Sequence, residues 1–280
     1  MSRDNLEFIG GSKLQHGKLS NRVYLIHLEP ADLTPVMNRM QSLAEENGYT
    51  KLFAKIPATA KAPFIDDGFE AEAEIPDFFP DGDNVSFMAK FLDSERQAPN
   101  DPDRISRVLE TAQQKAHDAE LKPLPGGYRL AELGKEDCER MASLYAEIFR
   151  TYPFPIFDPE YLAETMDDNF RYFGALHGND LAALASSEMD GGCVEMTDFA
   201  THPEHRSAGL ASHILARMEK EMSASGLKTA FTIARSRSFG VNILFSRAGY
   251  MFSGTLVNNT GISGRLESMN IWYKPLGSLT

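Results

Sequence analysis

Residues 194–211, VEMTDFATHPEHRSAGLA, constrain the fold more than any other stretch of the chain. Alternating apolar residues predict a strand at its start, and His202-Pro203 ends that strand. A turn of small residues follows over 206–209, and an apolar repeat predicts a helix from Leu210 to about Met222. This order presents backbone N–H groups and the positive end of a helix to an anion such as a phosphate. An ordinary strand–helix connection has the same outline, so the turn alone leaves that alternative open.

Charge and composition narrow the class of partner. The formal net charge of -12 over 280 residues argues against nucleic acid or an anionic membrane surface and suits a small cationic substrate. The length allows one large domain or two ordinary ones. No apolar run approaches the roughly 18 residues of a membrane span, and the first residues lack an apolar secretion signal. We therefore expect a cytoplasmic protein that binds neither membrane nor nucleic acid.

The cysteines and histidines indicate no metal and no covalent chemistry. Cys138 and Cys193 form neither a disulfide framework nor a metal-ligand spacing, and we expect two buried free thiols. His202, His205 and His213 show no metal-binding geometry, so no metal is expected. The sequence places no histidine beside either cysteine, which argues against a nucleophilic thiol.

The turn resembles the acetyl-CoA pyrophosphate loop of the GNAT acetyltransferase superfamily. Its residues Arg206-x-x-Gly209-x-Ala211 fit the family pattern Gln/Arg-x-x-Gly-x-Gly/Ala. Residues 238–250, SFGVNILFSRAGY, are similar to the next helix of the family and its Gly-Tyr/Phe exit. The resemblance implies the α/β class with the α+β fold of that family: a mixed, mostly antiparallel sheet flanked by helices.

Further segments resemble the β-lysine N-acetyltransferases, which make the osmolyte Nε-acetyl-β-lysine. The most specific is 256–274, LVNNTGISGRLESMNIWYK, and segments 15–17, 53–57 (FAKIP) and 152–158 (YPFPIFD) are also similar. The resemblance implies an enzyme that moves acetyl from acetyl-CoA to the side-chain amine of β-lysine by direct attack. Another amine (lysine, a polyamine or a protein lysine) stays open as the acceptor. A non-catalytic acyl-CoA sensor stays open as a different class of protein.

The order helix, strand, helix, Gly-aromatic pair, strand, strand occurs twice in the sequence. We therefore predict a degenerate GNAT-like N-terminal domain over 1–95, a helical linker over 96–126 and the catalytic GNAT domain over 127–280. The first half lacks the Arg/Gln-x-x-Gly-x-Gly turn, so we expect no CoA there. Its expected role is packing, walling off the substrate pocket or dimerisation, which leaves a homodimer open.

The resemblance implies which residues contact acetyl-CoA. They are Phe199, Ala200, Thr201, Arg206, Ser207, Ala208, Gly209, Leu210, Ala211, Ser238, Asn242 and Phe245. An N–H near Ala200 would polarise the acetyl carbonyl. Phe245 stands where many members have the tyrosine that protonates the leaving thiolate, so the acid is water or Tyr250. Ser238 stands where the family has an asparagine, and Asn242 is expected to substitute for it.

Two carboxylates are candidates for the base that deprotonates the amine. Glu195 and Asp198 lie three apart on the predicted strand, so regular alternation points them to opposite faces and only one can face the site. Counting back from Gly209, Glu195 falls where many family members place a catalytic glutamate. We prefer Glu195, with Asp198 or a water relay as alternatives.

The predicted acceptor side has its own candidate residues. Tyr152 and Phe154 lie in the proline-rich segment 152–158, which we expect to form a stiff apolar wall. Neutral amides suit the carboxylate and ammonium of an amino acid, and a carboxylate suits its ammonium. These candidates are Asn258, Asn259, Asn270 and, for the ammonium, Glu267. The Asn-Asn-Thr-Gly run alternatively serves only a turn.

Overall fold

The computed structural model describes residues 4–116 and 121–277 as two mixed β-sheets flanked by helices. The N-terminal sheet has six strands in the order β1-β2-β3-β4-β6-β5. Its strands are β1 Asn5–Ile9, β2 Ser12–Gly17, β3 Arg22–His27, β4 Lys51–Pro57, β5 Glu70–Ile75 and β6 Val85–Phe91. Its helices, with the two that follow it, are α1 Leu33–Asn47, α2 Lys61–Asp66, α3 Ser94–Gln97 and α4 Pro102–Gln114.

The C-terminal sheet has seven strands in the order β12-β13-β11-β10-β9-β8-β7. The strands are β7 Tyr128–Leu133, β8 Phe170–His177, β9 Asp180–Asp190, β10 Cys193–Thr201, β11 Thr229–Arg235, β12 Met251–Ile262 and β13 Arg265–Pro275. The helices are α5 Cys138–Ile148, α6 Pro159–Asp167, α7 Leu210–Ala224 and α8 Phe239–Arg247. No helix in the described ranges is long and apolar enough to cross a membrane.

The helices form where the sequence places an apolar stripe. In α1, Val36, Met40, Leu43 and Ala44 are buried, a spacing of one face of a helix. Gly48 ends α1 in the left-handed conformation, with φ of 68°, which glycine adopts at little cost. The resulting helix covers one face of the N-terminal sheet.

The two sheets repeat one topology, as the duplicated order of elements in the sequence indicates. In each sheet, one parallel pair (β3 with β4, β10 with β11) lies between antiparallel strands. The last strand in the chain lies next to that pair and the second-last strand lies at the edge, in the orders β4-β6-β5 and β11-β13-β12. The aromatic pairs also correspond. Phe64 meets Phe69 edge-to-face at 5.2 Å between centroids, and Phe245 meets Tyr250 in the same way at 4.9 Å.

The inner faces of the two sheets pack against each other. Tyr24, Phe53 and Phe87 of the N-terminal sheet share a buried apolar cluster with Phe231 and Ile271 of the C-terminal sheet. This packing puts the N-terminal sheet directly over the face of β10 and β11 that α7 and α8 leave uncovered. The N-terminal half is therefore placed to form part of any site on that face.

The helix between the halves packs on the C-terminal half. Ala112 of α4 is buried in the same cluster as Phe245, and Ser246 Oγ donates to the Ala112 carbonyl oxygen at 2.7 Å. The expected helix from Arg104 to Leu121 begins earlier and ends at Gln114, while 117–120 lie outside the described residues. The three predicted domain ranges stay a prediction.

Candidate active site

The strands β10 and β11 separate halfway along their length. They pair only from Cys193 opposite Thr229 to Glu195 opposite Phe231. Beyond that point, β10 stays paired with β9 as far as Thr201, while β11 stays paired with β13. The separation opens a wedge between two parallel strands, and Glu195 lies where it begins.

A β-bulge in β10 corrects the prediction that Glu195 and Asp198 face opposite sides. The register with β9 shifts between Thr197 and Ala200, and Asp198 has a φ of 55°. The extra residue turns Asp198 to the side of Glu195. Both carboxylates lie near Tyr152. The Tyr152 hydroxyl donates to Asp198 Oδ1. Burial raises the pKa of Tyr152 well above its usual range, and the charges of Asp198 and Glu195 raise it further. The alternation rule failed because a bulge breaks the two-residue period.

Asp198 is a fully bonded carboxylate. Besides the Tyr152 hydroxyl, Ser186 Oγ donates to its Oδ2 at 2.5 Å and Thr197 Oγ1 to its Oδ1 at 3.4 Å. Burial raises the pKa of Asp198, and these hydroxyl groups oppose the rise by stabilising its charge. This arrangement fixes the segment after α5 to the bulge and leaves Asp198 poorly placed to accept a further proton.

Glu195 has the opposite character. It is partly exposed, and its carboxylate accepts no hydrogen bond from the residues that the structure describes. Burial raises its pKa well above the usual range. The neighbouring charges of Glu188, Asp198 and Asp190 add to the rise, and Lys55 opposes it. A partly exposed carboxylate with a raised pKa is suited to act as a base.

Four residues of this cluster escaped the sequence analysis: Glu188, Asp190, Lys55 and Tyr24. Glu188 is the cross-strand partner of Glu195, and burial raises its pKa too. Lys55, from β4 of the N-terminal sheet, forms an ion pair with Asp190. Burial lowers the pKa of Lys55, but Tyr24 and Asp190 raise it more, so Lys55 stays charged. The segment FAKIP, which contains Lys55, was a signal that could have pointed to it.

The turn from Arg206 to Ala211 is open to solvent. Ser207 and Gly209 both have left-handed backbones, with φ of 70° and 72°, and nothing lies within 4 Å of a Cβ built on Gly209. The N–H groups of Ser212 and His213 return to the Gly209 carbonyl oxygen. The N–H groups of residues 207–211 have no partner in the described part of the chain. Such a row of free donors at a helix start is a site for an anion.

The apolar candidates line the wedge on the α7 and α8 side. Phe199 meets Phe245 edge-to-face at 5.5 Å between centroids, and Phe245 meets Tyr250 behind it. Phe245 is fully buried and Ala200 is 2% exposed, whereas Thr201 keeps part of its surface. Tyr250 lies beside Glu219, and burial with that charge raises its pKa well above the usual range. This position, two rings behind Phe199, argues against Tyr250 as the acid.

Asn242 is structural, which corrects its expected role toward the cofactor. Its amide nitrogen donates to the carbonyl oxygens of Arg235 and Ser238 at 2.9 and 2.7 Å. Its amide oxygen accepts from Asn270 Nδ2 and Trp272 Nε1, both at 2.9 Å. The same bonds place Asn270 on the α8 side of the sheet, so it cannot face the acceptor with Glu195. Ser238 keeps part of its surface exposed and occupies the position before the first residue of α8, without a capping hydrogen bond from its side chain.

Two of the other predicted acceptor residues are also occupied. The side chain of Asn258 donates to the carbonyl oxygens of Arg96 and Ala98 at 2.8 and 2.7 Å and accepts from the Asn100 N–H at 3.1 Å. It therefore holds the segment after α3. Glu267 is fully buried and paired with two arginines, so it has no oxygen to spare for an ammonium.

The remaining predicted acceptor residues differ in placement. Asn259 is 2% exposed with an Oδ1 atom that has no partner in the described chain, and its carbonyl oxygen accepts from Arg22 Nη1 at 2.7 Å. Tyr152 joins the site through Asp198. Phe154 is 38% exposed, so Tyr152 is the residue of the predicted wall that contacts Asp198, and the wall itself stays a prediction.

A cationic cavity opens at the far end of β11. It has a volume of about 370 Å³, and its lining is Arg104, Arg235, Arg237, Ser238 and Arg265. All four arginines are held by carboxylates or carbonyl groups of neighbouring strands, helices and turns. The described residues include no group of three or more metal-binding side chains.

Comparison with known proteins gives one consistent result. The acetyltransferase (GNAT) family profile matches residues 138–250. Beta-lysine N(6)-acetyltransferase of Methanococcus maripaludis is 36% identical over 95% of this chain and 97% of its own length. N-acetyltransferase YodP of Bacillus subtilis is 29% identical over 94% of this chain and 95% of its own length. A solved structure of spermidine N-acetyltransferase from Vibrio cholerae with CoA and spermine aligns with a TM-score of 0.47 and 17% identity, over 55% of this chain and 98% of that one.

Proposed function

This chain belongs to the acetyltransferase (GNAT) family, and we propose that it transfers the acetyl group of acetyl-CoA to the side-chain amine of β-lysine. The observation that carries the proposal is the placement of Glu195. Its carboxylate, with a raised pKa, lies where β10 and β11 separate and is surrounded by acidic side chains. A relative that matches nearly the full length of this chain and carries the name of this activity supports the acceptor.

The free N–H groups of 207–211 fit the pyrophosphate of acetyl-CoA, and Arg206 beside them is exposed and able to add charge-assisted hydrogen bonds. The wedge between β10 and β11 leaves backbone groups of β10 unpaired on the side of β11. An N–H near Ala200 in that wedge would polarise the thioester carbonyl. These features support a cofactor that runs from the turn toward Glu195.

Glu195 then acts on the amine. A lysine-type amine has a pKa of roughly 10.4, so it arrives protonated and must lose a proton before it attacks. The raised pKa of Glu195 narrows the gap between base and amine, which favours the proton transfer. The neutral nitrogen attacks the acetyl carbonyl and the C–S bond breaks. The nitrogen then loses a second proton to water, and the leaving thiolate of CoA takes up a proton from water.

A covalent acyl-enzyme has no support. Cys193 precedes Glu195 on β10, but its thiol is buried and contacts the Phe78 carbonyl oxygen at 3.1 Å. Burial raises the pKa of Cys193 to about 12, so the nucleophilic thiolate is scarce at neutral pH. Direct attack by the amine is the remaining route that these residues serve.

The test is release of CoA thiol with β-lysine, lysine, a polyamine and a lysine-containing peptide as acceptors. We expect the highest kcat/KM with β-lysine, and a higher value with a polyamine would remove β-lysine from the proposal. Glu195→Gln should abolish turnover and retain acetyl-CoA binding by calorimetry. Glu110→Gln, at an exposed position of α4, is the matched control and should change neither. A wild type that binds acetyl-CoA and releases thiol with none of these amines would indicate a sensor.

A further inference from the structure

The reaction steps described above for Glu195 do not use the arginine cavity at the end of β11. We define the arginine pocket as Arg104, Arg235, Arg237, Ser238 and Arg265. Its four guanidinium groups face two carboxylates, Glu267 and Asp101, which leaves an excess of two positive charges. In a chain of net charge -12, such a concentration of arginine indicates an anionic ligand.

Hydrogen bonds to one buried carboxylate fix two arginines of the pocket. Arg235 donates to both Glu267 oxygens at 2.9 and 2.8 Å, and Arg265 Nε donates to Glu267 Oε1 at 3.0 Å. Burial raises the pKa of Glu267, but Arg235 and Arg265 lower it more. The carboxylate therefore stays ionised and holds both guanidinium groups in place.

The other two arginines are held from α4 and the turn before α8. Arg237 forms an ion pair with Asp101, and its Nε is buried without a partner among the described residues. Arg104 Nε donates to the Arg237 carbonyl oxygen at 3.2 Å. Its guanidinium group lies over the Phe239 ring, 5.8 Å from the ring centroid. Its two terminal nitrogens have no hydrogen-bond partner in the described chain and are free to donate to a ligand.

The pocket lies on the same face of the sheet as Glu195. Phe231 is the strand partner of Glu195, and Phe231, Ile233 and Arg235 alternate onto one face of β11. That face carries Phe231 and Ile233 into the cluster between the two sheets. Four residues of strand separate the Cα atoms of Phe231 and Arg235 by roughly 13 Å.

The structure assigns the arginine pocket to the carboxylate of the amino-acid acceptor, whose distal ammonium lies at Glu195. This assignment rests on the proposed function. In β-lysine, six bonds of about 1.5 Å join the side-chain nitrogen to the carboxyl carbon, which spans roughly 8 Å when extended. The side chains of Glu195 and the arginines cover the rest of the distance. A diamine without a carboxylate gains nothing from the pocket, so the pocket selects amino acids over polyamines.

The test compares β-lysine with 1,4-diaminopentane, the same molecule without its carboxylate. In Arg104→Gln and Arg265→Gln we expect kcat/KM for β-lysine to fall about tenfold or more, since each loses a charged hydrogen bond. Turnover of the diamine should stay within twofold of wild type. Arg107→Gln, one turn further along α4 and exposed, is the matched control and should change neither substrate.

Two outcomes overturn the assignment. One is an equal loss for β-lysine and the diamine. The other is a higher KM for acetyl-CoA, with loss of discrimination against 3′-dephospho-acetyl-CoA, which would give the pocket to the 3′-phosphate of the cofactor. If the wild type does not acetylate β-lysine at all, the proposed function fails separately. The arginine pocket is then tested with lysine against 1,5-diaminopentane. If Arg104→Gln and Arg265→Gln both keep the wild-type preference for lysine over the diamine, the assignment of the pocket is overturned.

Discussion

Lys55 of the N-terminal sheet forms an ion pair with Asp190 of the C-terminal sheet, two residues after Glu188, which lies opposite Glu195 across β9 and β10. Its side chain is 12% exposed, and it is the cation that lowers the pKa of Glu195 against burial and three neighbouring carboxylates. The N-terminal sheet therefore supplies a positive charge beside the carboxylates around Glu195. This contact links the two sheets by charge as well as by apolar packing.

We predict that Lys55→Met moves the acidic limb of the pH profile of kcat/KM to higher pH. Removing the positive charge destabilises the ionised form of Glu195, so its pKa rises further and less of the base is ionised at neutral pH. A rise of one pKa unit would lower activity about tenfold on that limb. Steady-state thiol release across the pH range measures it.

Two variants control this experiment. Lys55→Arg keeps the charge and should restore most of the profile. Lys61→Met breaks an ion pair with Glu74 at a more exposed position of the same half and should leave the profile in place. An unshifted limb in Lys55→Met would show that Lys55 acts only in packing.

We predict that Glu195→Gln stabilises the fold at neutral pH. A carboxyl group whose pKa is raised by folding opposes folding once pH exceeds its value in the unfolded chain, near 4.5. The gain should therefore be present at pH 7, shrink as pH falls toward 4.5 and vanish below that value. Asp198→Asn, which weakens three hydroxyl hydrogen bonds, should instead lower the free energy of unfolding by about 1–3 kcal/mol. Urea unfolding at pH 7 and pH 4 separates the two, and a destabilised Glu195→Gln at pH 7 would contradict the burial argument.

We predict that Gly209→Ala raises the KM for acetyl-CoA. The left-handed backbone at Gly209, with φ of 72°, costs a residue with a Cβ roughly 1 kcal/mol, and relaxing it turns the free N–H groups away from the phosphates. Gly226→Ala is a matched control, because Gly226 has φ of 85° and equally open space at the far end of α7. Both variants should lose similar stability, and only Gly209→Ala should weaken acetyl-CoA in calorimetry. Equal affinities would exclude the turn as the phosphate site.

We predict that Asn242→Ala is a stability mutant. Four hydrogen bonds at one buried amide connect α8 to β11 and β13, and their loss should lower the free energy of unfolding by about 2–4 kcal/mol. At temperatures well below the unfolding transition, the KM of this variant for acetyl-CoA should equal that of the wild type. Asn38→Ala, at an exposed position of α1, should change neither quantity. A raised KM in a folded Asn242→Ala would return this residue to the cofactor site.

The sequence predicted the elements that depend on local pattern. The strand, turn and helix around Gly209 and the duplicated order of elements follow from apolar period and turn residues, and both are present. The imperfect alternation of this strand was compatible with a bulge, but its position at Asp198 could not be predicted because it depends on the register with β9. Glu188 and Lys55 were missed because the tertiary fold, through cross-strand register and sheet packing, brings them to Glu195. Asn258 and Asn270 were assigned to the acceptor, but both bind neighbouring groups of the chain. In a sequence, an asparagine on a buried strand has the same pattern whether its amide binds a ligand or another part of the protein.

The most direct measurement is the identification, by NMR, of the product formed from acetyl-CoA and β-lysine. The account predicts one product, acetylated on the side-chain nitrogen, in amounts equal to the CoA thiol released. Acetylation of the nitrogen nearer the carboxylate, or no transfer to β-lysine at all, would contradict it.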